Sequence, residues 1–252
     1  MNILEDIIKE KKNEIQSISV EQNHDVFIHR SLLKKLSENK LHLIAEVKKA
    51  SPSKGVIYAD FNHIKLAKTF ENNGASCISV LTDEKYFQGN KRFLTEIKKV
   101  TNIPILRKDF IIHPIQVKES RAIGADVMLL ILDILSVNQA NELIHAATEE
   151  NLDVLLEIHS QESLEKLALI KKKPIVGVNN RDLTTFECDL NRVITMGNDI
   201  KTMDPTIKRI AESGYFSPEQ MNNLVNNNIN GVLIGEGLSK NKKLMEWFNN
   251  EN

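Results

Sequence analysis

The chain has 252 residues, 41% hydrophobic and 27% charged, the proportions of an ordinary soluble globular protein. Its formal net charge of −1 offers no general attraction to nucleic acid or to an acidic membrane. Its 2 cysteines, Cys77 and Cys188, cannot build a disulfide framework, and no CxxC or Cys/His cluster suggests zinc.

The first segment, MNILEDIIKEKKNEIQ, lacks the apolar stretch of a signal peptide, and no apolar run approaches the ~18 residues of a membrane span. No membrane partner and a reducing cytoplasmic compartment are therefore expected. ILEDIIKEKKNEI is amphipathic, with Ile3, Leu4, Ile7, Ile8 and Ile15 near one face. Such a helix either packs on the body of the fold or covers one of its openings.

From residue 42 onward, short β-branched runs alternate with helical patterns. The predicted strands are HLIAEV (42–47), CISVLT (77–82), IPILRK (103–108), DVMLLIL (126–132), DVLLEI (153–158), PIVGVN (174–179), IKRIAES (207–213) and GVLIGE (231–236). Between them lie helical segments such as HIKLAKTFENNG and SVNQANELIHAATEEN, with Asp60 and Ser136 as N-caps and Gly74 and Gly124 as stops. NKKLMEWF supplies a last helix. The alternation implies parallel strands joined by right-handed crossovers. An open doubly wound sheet competes, but eight regular units in 252 residues favour a closed barrel. The expected fold is α/β: one (β/α)8 TIM-barrel domain over residues 1–252, with residues 1–41 as an N-terminal helical extension.

The polar exceptions to these apolar strands gather at their C-terminal ends: Glu46 with Lys48, Lys108, Glu157, Asn179 with Arg181, and Glu212 with Ser213. Those ends converge on the mouth where barrel enzymes place their chemistry. Parity agrees, because Glu46 and Lys48 share a face with Ile44, Lys108 with Leu106, and Glu157 with Leu155. A lone lysine at a strand end is usually solvated, and a lone glutamate is usually a cap or a surface acid. Four strand ends bearing acids and lysines on inward parity point instead to acid–base chemistry. A lysine beside another cation would become a better proton donor near neutrality, and a glutamate among apolar walls a better base.

AESGYFS and LIGEGLS each place glycine just past a strand, where bare backbone N–H groups can approach an anion. Gly214, Gly235 and Gly237 thus fit the phosphate position after strands seven and eight of many barrels. Tyr86, Phe87, Phe110, Leu129 and Leu183 are packing residues on one reading and a flat aromatic-binding pocket on another. Together these features imply a phosphorylated, partly aromatic small molecule.

AEVKKASPSKG, LTDEKYFQG, PILRKDFII, LLEIH, VGVNNRDLTTFECDL, AESG and LIGEGL occur in an order and spacing that resembles the indole-3-glycerol-phosphate synthase family. The likeness runs from about residue 40 to the end, and the leading helix resembles that family's extension. KASPSKG followed by RKDF and NNRDL is a specific combination, not shared by other phosphate-binding barrels. Mild departures are His113, Tyr215 and Gly237, the last where a bulkier small residue is frequent.

The resemblance implies ring closure, decarboxylation and dehydration of 1-(2-carboxyphenylamino)-1-deoxyribulose 5-phosphate, without a cofactor. It implies Lys108 as general acid, Lys48 as its assistant or the acid of dehydration, Glu157 as base, and Glu46 positioning Lys48 or moving a proton. Asn179 and Ser213 would orient the sugar hydroxyls, and Arg181 with Ser51 would hold the carboxylate. Glu212, Phe87, Phe110, Leu129 and Leu183 would complete the substrate pocket, and Glu236 would join the phosphate glycines. A non-catalytic phosphate-binding barrel, an isomerase on the neighbouring substrate such as phosphoribosylanthranilate isomerase, and a subunit active only in a complex with other tryptophan-pathway enzymes are the alternatives.

Overall fold

The structure, a computed structural model, describes residues 3–19, 27–52, 55–58, 60–173, 175–182 and 187–250. Eight strands build the core: β1 (His42–Val47), β2 (Ala75–Leu81), β3 (Ile105–Lys108), β4 (Val127–Ile131), β5 (Asp153–Ile158), β6 (Ile175–Asn179), β7 (Arg209–Glu212) and β8 (Gly231–Ile234). All pair in parallel with their chain neighbours, and β1 pairs with β8 to close the barrel. A small antiparallel hairpin, Ala50–Ser51 with Gly55–Val56, follows β1.

Strand ends differ from the sequence reading for local reasons. β3 begins after Pro104, which has no N–H to give a ladder. β7 stops at Glu212 because Ser213 and Gly214 turn to positive φ, 66° and 88°. β8 stops at Ile234 because Glu236–Lys240 forms a short helix. Ser136 caps its helix as expected, accepting from the Gln139 N–H at 3.2 Å. Asp60 does not cap the first barrel helix; that helix starts at His63, and Asn62 accepts from Lys65 N–H at 2.9 Å. Gly74 and Gly124 follow helix ends with φ of 86° and 97°, where a side chain is disfavoured.

Inward residues repeat every second position. Ile44, Leu106, Leu155 and Ile210, from β1, β3, β5 and β7, belong to one buried cluster in the barrel interior. Leu43, Ala45 and Val47 instead join the larger cluster under the outer helices. The extension serves both ends of the barrel. Leu32 and Leu36 enter the interior cluster from below, where burial of each contributes roughly 1.5–3 kcal/mol. The same segment is tied to the strand starts: Arg30 N–H donates to Asp126 at 2.7 Å, and Ser31 Oγ to Asp153 at 2.9 Å. The leading helix, Ile3–Gln16, lies at the opposite end, over the C-terminal mouth, where Leu4 and Ile7 line the cavity. Among the described residues, no helix is long and apolar enough to cross a membrane.

Candidate active site

Two residues beyond the apolar quartet, the same alternate strands carry Glu46, Lys108, Glu157 and Glu212. Three acids and one lysine thus meet in one inward layer at the mouth. Lys108 Nζ donates to Glu157 Oε2 at 2.7 Å and lies 3.4 Å from Glu212 Oε2. Asn179 Nδ2 donates to Glu157 Oε1 at 3.0 Å, and its own oxygen accepts the Arg181 N–H at 3.0 Å. Lys48, just past β1, turns back so that Nζ pairs with Glu46 Oε1. Parity placed these groups correctly, but their neighbours differ from expectation.

Lys108 does not sit beside a cation with a depressed pKa. Burial works against its charge, yet Glu157, Glu212 and Glu46 outweigh burial and raise it. Glu157 is not raised either. Burial pushes its carboxyl up, but Lys108 and His159 hold it well below the usual carboxylate range. The raised acid is Glu212: burial and the neighbouring Glu157 charge push it up to about 8, against the pull of Lys108. The two coupled acids are thus pushed in opposite directions, Glu157 toward the carboxylate and Glu212 toward the protonated form, with Lys108 in contact with both.

A cavity of about 220 Å³ opens above this layer. Every sequence-predicted site residue within the described part of the chain except Tyr86 lines it, while Leu183 lies outside the described residues. Phe87 and Phe110 form one wall, their ring centroids 6.2 Å apart and tilted by 38°, with buried Leu129 beneath. Tyr86 is not among the lining residues. Ser51 and Pro52 border the opening from the hairpin, and Arg181 enters from the loop after β6. Ser213, Gly214, Gly235, Glu236 and Gly237 gather on the opposite side. The Glu236 carboxylate pairs with Lys240 Nζ at 2.5 Å. Gly235 has a second reason to be glycine: a Cβ there would lie 2.6 Å from Glu46 Oε1.

Some site groups escaped the sequence reading. Lys11, on the leading helix, is 2% exposed and reaches Asp83 at 2.8 Å and Asp109 at 3.0 Å. Its signal was a lone charge at helical spacing from Leu4 and Ile7. His159 stands behind Glu157, its Nε2 2.8 Å from Oε1, and its Nδ1 lies 3.1 Å from Asp133 Oδ2. The Glu157 contact is an ion pair in distance but too bent for a hydrogen bond. Burial lowers the His159 pKa, but Asp133 and Glu157 more than offset that and raise it to about 9. Buried Asn180 donates to the Ser213 carbonyl at 3.1 Å and to the Tyr215 hydroxyl at 3.0 Å, bracing the turn that carries Gly214.

Residues 4–249 match the family model described as Indole-3-glycerol phosphate synthase. Relatives of that name include one from Priestia megaterium, 42% identical over 240 residues, covering 94% of this chain and 92% of its own length. Another, from Bacillus pumilus, is 41% identical over 241 residues, covering 94% of each chain. Among solved structures, KGPDC from Streptococcus mutans superposes with a TM-score of 0.61 at 14% identity, covering 84% of this chain and 97% of that one. The tryptophan synthase subunit alpha from Legionella pneumophila gives 0.58 at 14% identity, covering 86% and 92%. At such identity the structural likeness speaks for the barrel alone.

Proposed function

The chain belongs to the indole-3-glycerol phosphate synthase family, an enzyme family of tryptophan biosynthesis, and from that premise we propose how its own residues carry the reaction. The substrate is 1-(2-carboxyphenylamino)-1-deoxyribulose 5-phosphate, and the class of reaction is that of a carboxy-lyase. The carboxyl-bearing ring carbon attacks the sugar ketone while Lys108 protonates the ketone oxygen. Carbon dioxide leaves and its bonding pair restores the aromatic ring. The new hydroxyl departs as water with a proton from Lys48, and Glu157 removes a proton from the adjacent methylene to complete the indole. Atoms balance as indole-3-glycerol phosphate, carbon dioxide and water.

The observation that carries this reading is the placement of Lys108 between Glu157 and Glu212. An ammonium held by a carboxylate on one side and an acid pushed toward its protonated form on the other is fixed in direction and remains a charged donor. Its raised pKa makes it an electrostatic stabiliser of the developing alkoxide as much as a proton source. Glu46 positions Lys48, Asn179 and Ser213 orient sugar hydroxyls, and Arg181 with Ser51 faces the substrate carboxylate. Phe87, Phe110 and Leu129 take the aromatic ring, with Glu212 completing the described part of the pocket. The backbone N–H groups around Gly214, Gly235, Glu236 and Gly237 hold the phosphate. Residues 1–252 act as one barrel domain with its extension, in a reducing cytoplasm. The free thiols of Cys77 and Cys188 support that compartment.

The test is turnover by the purified chain alone, followed through indole fluorescence and released carbon dioxide. Binding without turnover would favour a non-catalytic barrel. Turnover only after addition of other tryptophan-pathway enzymes would favour the complex-dependent alternative.

A further inference from the structure

We propose that His159 and Asp133 are positioning residues for Glu157, holding its carboxylate from behind so that the oxygen shared with Lys108 stays turned to the substrate. The inference rests on the proposed role of Glu157 and goes beyond it, because neither residue lines the cavity.

The geometry is a line of alternating charge. Asp133 lies in the turn after β4, and its Oδ1 accepts Ser160 Oγ–H at 2.7 Å. Its Oδ2 accepts the His159 backbone N–H at 3.1 Å and lies 3.1 Å from His159 Nδ1. Asp133 thus holds both the backbone and the imidazole of His159, which leaves Nε2 in ion-pair contact with Glu157 Oε1, 2.8 Å away. Glu157 Oε2 is left to Lys108 at 2.7 Å. Its two oxygens are therefore inequivalent: one is anchored by Asn179 and His159, the other serves the cavity.

Neutral His159 would aim either a lone pair or a weaker donor at an anion, so the arrangement favours the imidazolium. Asp133 maintains that charge. The other groups facing Glu157 are Lys108 from β3 and Glu212 from β7, with Glu46 acting on Lys108 from β1. Of these, only the His159 arm is remote from the cavity. Removing its charge should raise the Glu157 pKa and loosen its orientation without touching the substrate pocket.

Asp133→Asn retains shape and removes the charge. Expected is a fall in kcat of roughly tenfold, less than the 10²–10⁴-fold typical of a direct acid or base, with KM nearly unchanged. The acid limb of the kcat–pH profile should move upward, because Glu157 must lose its proton against weaker help. His159→Gln, which keeps a polar group of similar reach but no charge, should shift the profile in the same direction as His159→Ala. A purely structural pair would lower the melting temperature and leave the profile of the folded enzyme in place, and that result overturns the proposal. Imidazole ¹⁵N shifts give a readout independent of turnover: His159 should be protonated at pH 7 in the wild type and lose that charge more readily in Asp133→Asn. A neutral His159 at pH 7 overturns the pair even in a chain with no turnover, whereas absent turnover with the imidazolium intact overturns only the assigned reaction.

Discussion

The carbonyl oxygen of Tyr215 occupies the space where a Cβ on Gly237 would stand. Both positions depart from the family pattern seen in the sequence, and the structure brings them into contact. Tyr215 is buried, its hydroxyl is held by Asn180 at 3.0 Å, and burial raises its pKa to about 12. Its backbone is therefore not free to retreat. Gly237→Ser should displace the Ser213–Tyr215 turn and with it the backbone N–H groups proposed to hold the phosphate. Losing one hydrogen bond to a charged group costs about 1.5–3 kcal/mol, so KM should rise at least about tenfold while kcat changes less. Steady-state kinetics and the affinity for inorganic phosphate measure the two effects, and an unchanged KM would separate Gly237 from phosphate binding.

Lys108→Ala removes the only cation of the four-residue layer formed with Glu46, Glu157 and Glu212. It should lower kcat by about 10²–10⁴-fold, with a smaller change in KM. The loss leaves Glu157 short of one donor, so the variant should also bind protons more readily at that carboxylate. Near-normal kcat in a folded Lys108→Ala protein would remove Lys108 from the mechanism.

How far the site could be read from the sequence depended on what parity can convey. Alternation identifies Glu46, Lys108 and Glu157 as inward residues, since each lies two positions beyond an apolar inward residue, whereas Glu212 stands out only as a polar residue at a strand end. The same step carried Glu46 to Lys48 and Asn179 to Arg181. Glu157 and His159, and Ile131 and Asp133, share parity in the same way. Parity is silent about partners across the barrel. It could not show that the neighbours of Lys108 are acids, so the expected directions for Lys108 and Glu157 came out reversed. Asp60 and Asn62 show a smaller gap of the same kind: both residue types cap helices, and only the true start of the helix chooses between them.

Gly235 and Glu46 make a coupled prediction. A β-branched residue at Gly235 would meet the Glu46 carboxylate as well as any phosphate, so Gly235→Val should reduce kcat together with raising KM. Glu46→Gln and Lys48→Met address the pair directly. A purely structural buried pair would cost about 3–5 kcal/mol when broken. Since Lys48 remains 21% exposed at its side chain, the expected result is a modest shift in melting temperature with a collapse of turnover. Strong destabilisation with activity retained in the folded fraction would make the pair structural.

Lys11 anchors the leading helix over the mouth. Lys11→Met leaves Asp83 and Asp109 buried with less compensation, at a cost of about 3–5 kcal/mol, and loosens the helix bearing Leu4 and Ile7. A lower melting temperature should accompany a raised KM. Acid sensitivity should fall at the same time. Burial pushes Asp109 up, but Arg107 and Lys11 outweigh it and hold its pKa below the ordinary 3.8. Its stabilisation is therefore complete above that value and is lost as pH falls further. With Lys11 gone that loss should be smaller, which acid titration of the two proteins would show. An equally steep acid transition would assign the depression to Arg107 alone.

Glu212 produces the opposite pH dependence. Its pKa rises from 4.5 to about 8 through burial and the adjacent Glu157 charge. The folded chain therefore holds a proton that the unfolded chain has released over that interval. Stability contributed by Glu212 is complete below 4.5, declines as pH rises, and is gone once pH passes about 8. Glu212→Gln keeps a neutral group of the same shape and removes the titration. Its melting temperature should be nearly flat from pH 5 to 6.5, where the wild type declines. Above that, both proteins should lose stability as His159, raised from 6.5 to about 9, gives up its proton in the folded state. Melting curves at intervals of half a pH unit separate the two contributions, since only the lower part of the slope should vanish in Glu212→Gln. Identical slopes in both proteins between pH 5 and 6.5 would mean that Glu212 is ionised beside Glu157, and the charge distribution around Lys108 would have to be redrawn.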